Sequence, residues 1–255
     1  MRPVVLTQIQ VGQHWVGYIF GEQIYLDTLI SSGVAFCIVL GLGLYLRRQV
    51  TSGVPGKFQT MIELVWTTVD DYVTRMIGPF ARWVVPLVTV LFFYILISNW
   101  LELIPTGDRL TSPTADVNDT AALAIIVIVM VHVTSIRRKG LMGYVHTNYL
   151  HPEGMPWVFY ILLAPINIIA QISYPISLAL RLFGNMFAAA LMLQIIAILP
   201  IYIGFAFNGV WKLFEGLFVD VIQAFIFALL TVIYLSMATM SNEEPQAVQP
   251  ATSQP

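Results

Sequence analysis

The sequence has little charge and almost no thiol. Only 10% of its 255 residues are Asp, Glu, Lys or Arg, against 58% hydrophobic. That is too little charge to cover the surface of a water-soluble globule, so the composition points to an integral membrane protein. The net charge is only −2. No basic block or aromatic-basic interleaving is present, which argues against a nucleic-acid groove and a polybasic lipid patch. The single cysteine, Cys37, lies inside an apolar run, which excludes a disulfide scaffold or a thiolate metal cage within one copy. His14, His132, His146 and His151 are too far apart for a sequence-local ligand pair, so neither metal nor cofactor is expected. A nucleophile elbow, Walker loop, dinucleotide fingerprint and haem-ligand pair are all missing, so the chain carries no visible apparatus for bond-making catalysis.

What is present is a series of long charge-free stretches, to be compared with the ~20 residues a helix needs to cross a ~30 Å hydrocarbon core. Residues 28–46, 83–101 and 120–136 are single-span lengths without Lys, Arg, Asp or Glu. From 156 to 240 the only such residues are Arg181, Lys212, Glu215 and Asp220. This stretch is too long for two upright crossings and reads as a hairpin of two overlong helices turning near 199–204, where Pro200 and Gly204 supply the turn chemistry. Helices of ~40 and ~35 residues are ~60 and ~50 Å long. They must tilt, bend at Pro165 or Pro175, or lie partly along the membrane plane. The expected fold class is therefore all-α integral membrane, with about five membrane helices.

Segment 57–76 mixes Ile62, Leu64, Val65, Trp66, Val69 and Val73 with Glu63, Asp70, Asp71 and Arg75. That pattern suits a helix lying on the membrane surface. Lys and Arg in short loops tend to stay cytoplasmic. Loop 47–82 holds Arg47, Arg48, Lys57, Arg75 and Arg82, and loop 137–155 holds Arg137, Arg138 and Lys139, whereas the loop at 102–119 has only Arg109 against Glu102, Asp108, Asp116 and Asp119. The expected organisation is an extracytoplasmic segment 1–27, a retained first span 28–46, a cytoplasmic loop 47–82, a membrane hairpin 83–136, a basic cytoplasmic loop 137–155, a tilted hairpin 156–240 and a disordered cytoplasmic tail 241–255. Trp66, Trp83, Trp100, Trp157 and Trp211 mostly fall near span ends, as interfacial anchors do.

Within 156–211, Arg181 has 25 charge-free residues before it and 30 after it, so it cannot reach water at a helix end and must face protein or a water-filled cavity. Ser173, Ser177, Arg181 and Asn185 recur every four residues and form a polar stripe, with Gly184 and Ala188 beside it. The stripe fits a polar packing interface as well as an ion path. On the last helix, Glu215 or Asp220 could relay protons, since a carboxylate in a partly hydrated, low-dielectric site can exchange them near neutral pH. The plainer reading of Lys212 and Glu215, at i and i+3, is a helix-surface pair. Asp116, Asn118 and Asp119 fit a helix N-terminus with its caps, or an acidic outer mouth. His132 reads as a hydrogen-bonded core residue before a proton carrier.

The string 177–186, Ser-Leu-Ala-Leu-Arg-Leu-Phe-Gly-Asn-Met, resembles the signature of subunit a of the F-type ATP synthase membrane sector. Three more blocks agree in order: Ser-Gly-Val-Pro-Gly-Lys-Phe-Gln-Thr at 52–60, Pro-Thr-Ala-Asp-Val-Asn at 113–118, and Gln-Ala-Phe-Ile-Phe at 223–227 followed by Tyr-Leu-Ser-Met-Ala at 234–238. The resemblance implies a non-catalytic, proton-translocating stator subunit of a cell inner membrane, set beside a ring of c-subunits and held by peripheral-stalk b-type subunits. It implies that Arg181 is the essential cation facing a ring carboxylate, and that two offset aqueous half-channels serve that carboxylate. The resemblance further implies that Asn185 and Gln223 match polar residues beside the arginine, and that Ser173 and Ser177 lie along the inner half-channel. Members often place an acid or histidine nine residues after the arginine, paired with a histidine or acid seven before the glutamine; here those positions hold Ala190 and Gly216. Glu215 and Asp220 are the carboxylates available instead. A secondary transporter would use the same buried charges, but no internal repeat supports it; a scaffold would use Arg181 only as a helix lock.

Overall fold

The computed structural model describes residues 16–19, 22–49, 56–104, 112–145 and 157–239. The expected tail 241–255 lies outside the described residues, as do His14, His146, His151, Asp108 and Arg109. A short antiparallel hairpin comes first, β1 (Val16–Ile19) paired with β2 (Glu22–Tyr25), Val16 opposite Tyr25. The helices follow: α1 (Leu26–Gln49), α2 (Lys57–Met76), α3 (Val85–Trp100), α4 (Val117–Val145), α5 (Trp157–Ala197), α6 (Ile201–Phe214) and α7 (Asp220–Thr239). Short 3₁₀ helices flank α3 at Pro79–Val84 and Leu101–Leu103, and another, Pro113–Ala115, leads into α4. A π-helical turn, Glu215–Val219, joins α6 to α7.

Among the described residues, five stretches are long and apolar enough to cross a membrane: Leu26–Arg48, Pro79–Leu103, Val117–Tyr144, Ile168–Ala197 and Ile201–Thr239. The chain is a multi-pass, all-α membrane protein in which the β-hairpin is a minor addition that charge spacing does not reveal. With 41 residues, α5 is about 60 Å long and contains both Pro165 and Pro175. The turn after it is tighter than the expected 199–204: the amides of Ile203 and Gly204 already donate to the carbonyl of Pro200 at 2.9 and 2.8 Å. The second arm of the hairpin is not one uniform helix, because the π turn interrupts it. Helix α4 is broken at Gly140, whose φ of 72° and ψ of 165° lie outside helical space.

Helix α3 is central. It packs against α1, α2 and α7, while α4 packs against α5 and α7. The core is built on Val84, Val85, Val88 and Ile95, met by Val73 of α2, Val127 of α4, Leu182 of α5 and Phe227 of α7. Apolar burial does little to hold helices together where lipid is equally apolar, so close packing matters more. Ala124, Ala179, Ala224 and Ala228 are all buried and let the backbones approach. Helix α2 lays Ile62, Val65, Val69 and Val73 on this core, which is the apolar face its sequence pattern defines.

Side-chain ties gather the basic residues at one end of the bundle. Ser135 Oγ donates to the Ala238 carbonyl at 2.7 Å and Ser236 Oγ to the Met76 carbonyl at 2.8 Å. Arg138 stands 4.3 Å over the ring of Phe80, and Arg82 pairs with Asp70 at 3.3 Å. Glu102, Asp116 and Glu215 lie at the other ends of α3, α4 and α7, with Lys212 of α6 held to Glu102.

Candidate functional site

Arg181 sits on α5 with Ser173 and Ser177 on the same side, and all three side chains are exposed in this chain. Among the described residues no carboxylate lies within ion-pair distance of Arg181. Tyr234 of α7 lies within its electrostatic reach, and the Tyr234 ring stacks on Tyr174 with centroids 4.8 Å apart. Ser173 Oγ donates to its own helix at the Ile169 carbonyl, 2.8 Å away. Asn185, one turn on, is half-buried, and Gln223 of α7 is buried. Asn185 Nδ2 and Gln223 Nε2 are shielded from solvent without a hydrogen-bond partner among the described residues.

The second polar centre forms where the end of α3 meets the π turn. Trp100 Nε1 donates to the Gly216 carbonyl at 2.8 Å, and Lys212 Nζ donates to the Glu102 carbonyl at 3.2 Å. A Cβ on Gly216 would collide with the Leu103 side chain, which would have to shift to admit it. Glu215 is 4% exposed and Asp220 1%. Glu102, Asp220 and Lys212 all lie within electrostatic reach of Glu215, and Asp220 also faces Glu102 and the amide of Asn99. Lys212 and Glu215 form no ion pair within 4.0 Å, which corrects the helix-surface pair expected from their spacing: the ammonium is drawn across to the carbonyl at the end of α3.

A third polar group sits where α1, α3 and α4 meet. Ser32 Oγ donates to Asp119 Oδ1 at 2.9 Å, and Tyr94 lies close to both and to Ser98. Asp116 accepts the Asn118 amide at 2.9 Å and so caps α4. His132 hydrogen-bonds Tyr144 at 2.8 Å. Among the described residues, no cluster of three or more His, Cys, Asp and Glu is disposed to hold a metal ion.

Against this geometry, the sequence matches the ATP synthase A chain family over residues 29–236. The chain belongs to the ATP synthase A chain family. It is 41% identical over 242 residues to the ATP synthase subunit a of Acidothermus cellulolyticus, covering 94% of this chain and 86% of that one. It is also 41% identical over 252 residues to that of Mycobacterium tuberculosis, covering 94% and 98%, and 36% identical over 255 residues to that of Alkalilimnicola ehrlichii, covering 93% and 94%.

Within this family member, the structure groups Arg181 with Ser173, Ser177 and Asn185, and groups Glu215 with Asp220. The two groups are on separate helices, with Gln223 one turn beyond Asp220. Asp116 and Asn118 sit apart, at the start of α4. Sequence reasoning missed Glu102 and Asn99 as neighbours of Asp220. Glu102 stands among loop charges, and Lys212, its contact, is 110 positions away.

Proposed function

We propose that this chain is the proton-translocating stator subunit of an ATP synthase membrane sector, coupling proton flow to rotation of a ring of c-subunits and so to ATP synthesis. The observation that carries the reading is the setting of Arg181. It lies exposed, midway along a membrane-crossing helix, with no carboxylate among the described residues within ion-pair distance. A guanidinium is too costly to leave against lipid. A neighbouring subunit bearing a carboxylate at the same depth meets that need.

The chemistry then follows from electrostatics. A ring carboxylate beside Arg181 is stabilised in its ionised form, whereas one turned toward lipid must be protonated. A proton must therefore be gained on one side of the arginine and lost on the other, and the positive charge of Arg181 bars a direct leak between the two. Ser173 and Ser177 line the inner half-channel, and Glu215 and Asp220 the outer one. Asn185 and Gln223 flank the arginine, and their unpartnered amide donors are suited to hold water or the arriving carboxylate. Asp116 and Asn118 form the outer mouth, although the carboxylate of Asp116 is already engaged as a cap. The clustering of Arg75, Arg82 and Arg138 at one end supports a cytoplasmic placement of that end, with the N-terminus outside and the C-terminus inside the cell membrane. Nucleotide chemistry resides in other subunits, and b-type stalk subunits contact α2 and the basic loops.

Cross-linking tests this reading in the assembled complex. With Cys37, which is exposed, replaced by Ser, Ser177→Cys should form a disulfide with a cysteine placed one turn from the ring carboxylate. An assembled complex that yields no such cross-link under oxidant would place the Arg181 face elsewhere.

A further inference from the structure

Three carboxylates and one ammonium converge where α3 ends. Glu102 comes from the turn after α3, Lys212 from α6, Glu215 from the π turn and Asp220 from the first residue of α7. They are held by contacts rather than by chance approach: the Trp100 indole and the Lys212 ammonium each bind a carbonyl of the opposite element, and Leu103 fills the place that a side chain at Gly216 would take. A π turn shifts the helix register by one residue and is a frequent feature of functional sites.

The surroundings of the cluster point to a small polar ligand. Asn99 is completely buried, and its Oδ1 is taken by the hydroxyl of Thr114 at 2.6 Å. That bond turns its Nδ2 toward the buried carboxylate of Asp220, which it faces as a donor. Glu215 Oε1 and Gln223 Nε2 are buried without a hydrogen-bond partner among the described residues. Buried polar atoms in a membrane protein must find partners, and water is the partner that fits a site with both donors and acceptors. Charge balance adds a second constraint. One ammonium offsets one carboxylate, and further unpaired negative charges in a buried site are neutralised by binding protons.

We propose that Glu102 is a third proton-exchange carboxylate, acting with Glu215 and Asp220 through shared water, and that Lys212 is the positioning residue that holds it there. The inference rests on the reading of the last hairpin as the proton path, and it deepens that reading by assigning a residue of α3 to the outer route. A proton arriving from the outer side is taken up at Glu102, the most accessible of the three acids, and passes to the buried pair. Each transfer moves one proton and leaves the donor carboxylate ionised, so charge and atoms balance with no other reactant.

The test uses the whole complex in inverted vesicles, reading ATP-driven acidification and, after removal of the peripheral catalytic sector, passive proton conductance. Glu102→Gln should assemble and conduct about tenfold more slowly. The loss is smaller than the ~100-fold typical of a missing proton-transfer group because Glu215 and Asp220 remain. Glu102→His should conduct with its outer-side pH dependence moved, since an imidazole titrates near 6.5 rather than in the carboxylate range; Lys212, Glu215 and Asp220 are the charged groups facing it. A group of purely structural importance would not move that profile. Lys212→Arg should retain most of the flux and Lys212→Met should not. If Glu102→Gln conducts like the parent, or Glu102→His leaves the pH profile unmoved, the assignment of Glu102 is overturned. Arg181→Ala, Glu215→Gln and Asp220→Asn in parallel vesicles separate the two failures: if these change proton flux while the Glu102 variants do not, only this inference fails.

Discussion

Gly216→Ala is the smallest change that tests how the end of α3 is held. An added Cβ meets the Leu103 side chain, with Cδ2 at 3.2 Å and Cγ at 3.3 Å and Cδ1 closer still. Inserting a methyl group into a filled site costs ~1–3 kcal/mol. Leu103 is only half-buried and its nearest atoms are the ends of a flexible side chain, so the expected cost lies at the lower end, ~1–2 kcal/mol. That corresponds to a roughly 5- to 30-fold rise in local opening, readable as faster amide hydrogen exchange in the π turn and the adjoining turn of α6 in the detergent-solubilised complex. Leu103→Ala in the same chain removes the colliding atoms, so the double variant should exchange more slowly than Gly216→Ala alone, a coupling that distant sites would not show. Unchanged exchange in Gly216→Ala, or no rescue by Leu103→Ala, would refute the docking described here.

Other sites give further expectations. Asn99→Ala strips the acceptor from the buried Thr114 hydroxyl and should destabilise the turn before α4 by ~1–3 kcal/mol, seen as a lower dissociation temperature of the complex. Ser236→Ala removes the donor to the Met76 carbonyl but should cost only ~0.6 kcal/mol, the average for such bonds in a membrane bundle, with assembly intact. Glu215→Gln and Asp220→Asn should each slow proton uptake from the outer side, and unchanged ATP-driven pumping and synthesis in both variants would remove these carboxylates from the route.

Much of the fold is legible because membrane helices obey a simple rule: charge must be absent over a span. The charge-free residues 28–46, 83–101 and 120–136 all lie within apolar helical stretches. Helix α2 runs over Lys57–Met76, the segment where polar and apolar residues alternate at helical period. Boundaries stretch beyond the apolar runs, as in α4, because Arg137, Arg138 and Lys139 are good helix formers at a polar end. The π turn was not legible, since Glu215–Val219 has no sequence signal distinct from an ordinary helix and arises from docking against Trp100 and Leu103. For the same reason Arg181, isolated in a long apolar run, stands out in the sequence, whereas Glu102 gains its setting only from residues more than 100 positions away.

The central claim is that the positive charge of Arg181 couples proton flow to rotation. It is tested most directly in inverted membrane vesicles carrying Arg181→Ala, by measuring ATP-driven acidification and ATP synthesis together with complex assembly in the same preparation. The account predicts an assembled complex in which both coupled activities are lost. Survival of coupling in an assembled Arg181→Ala complex would contradict it.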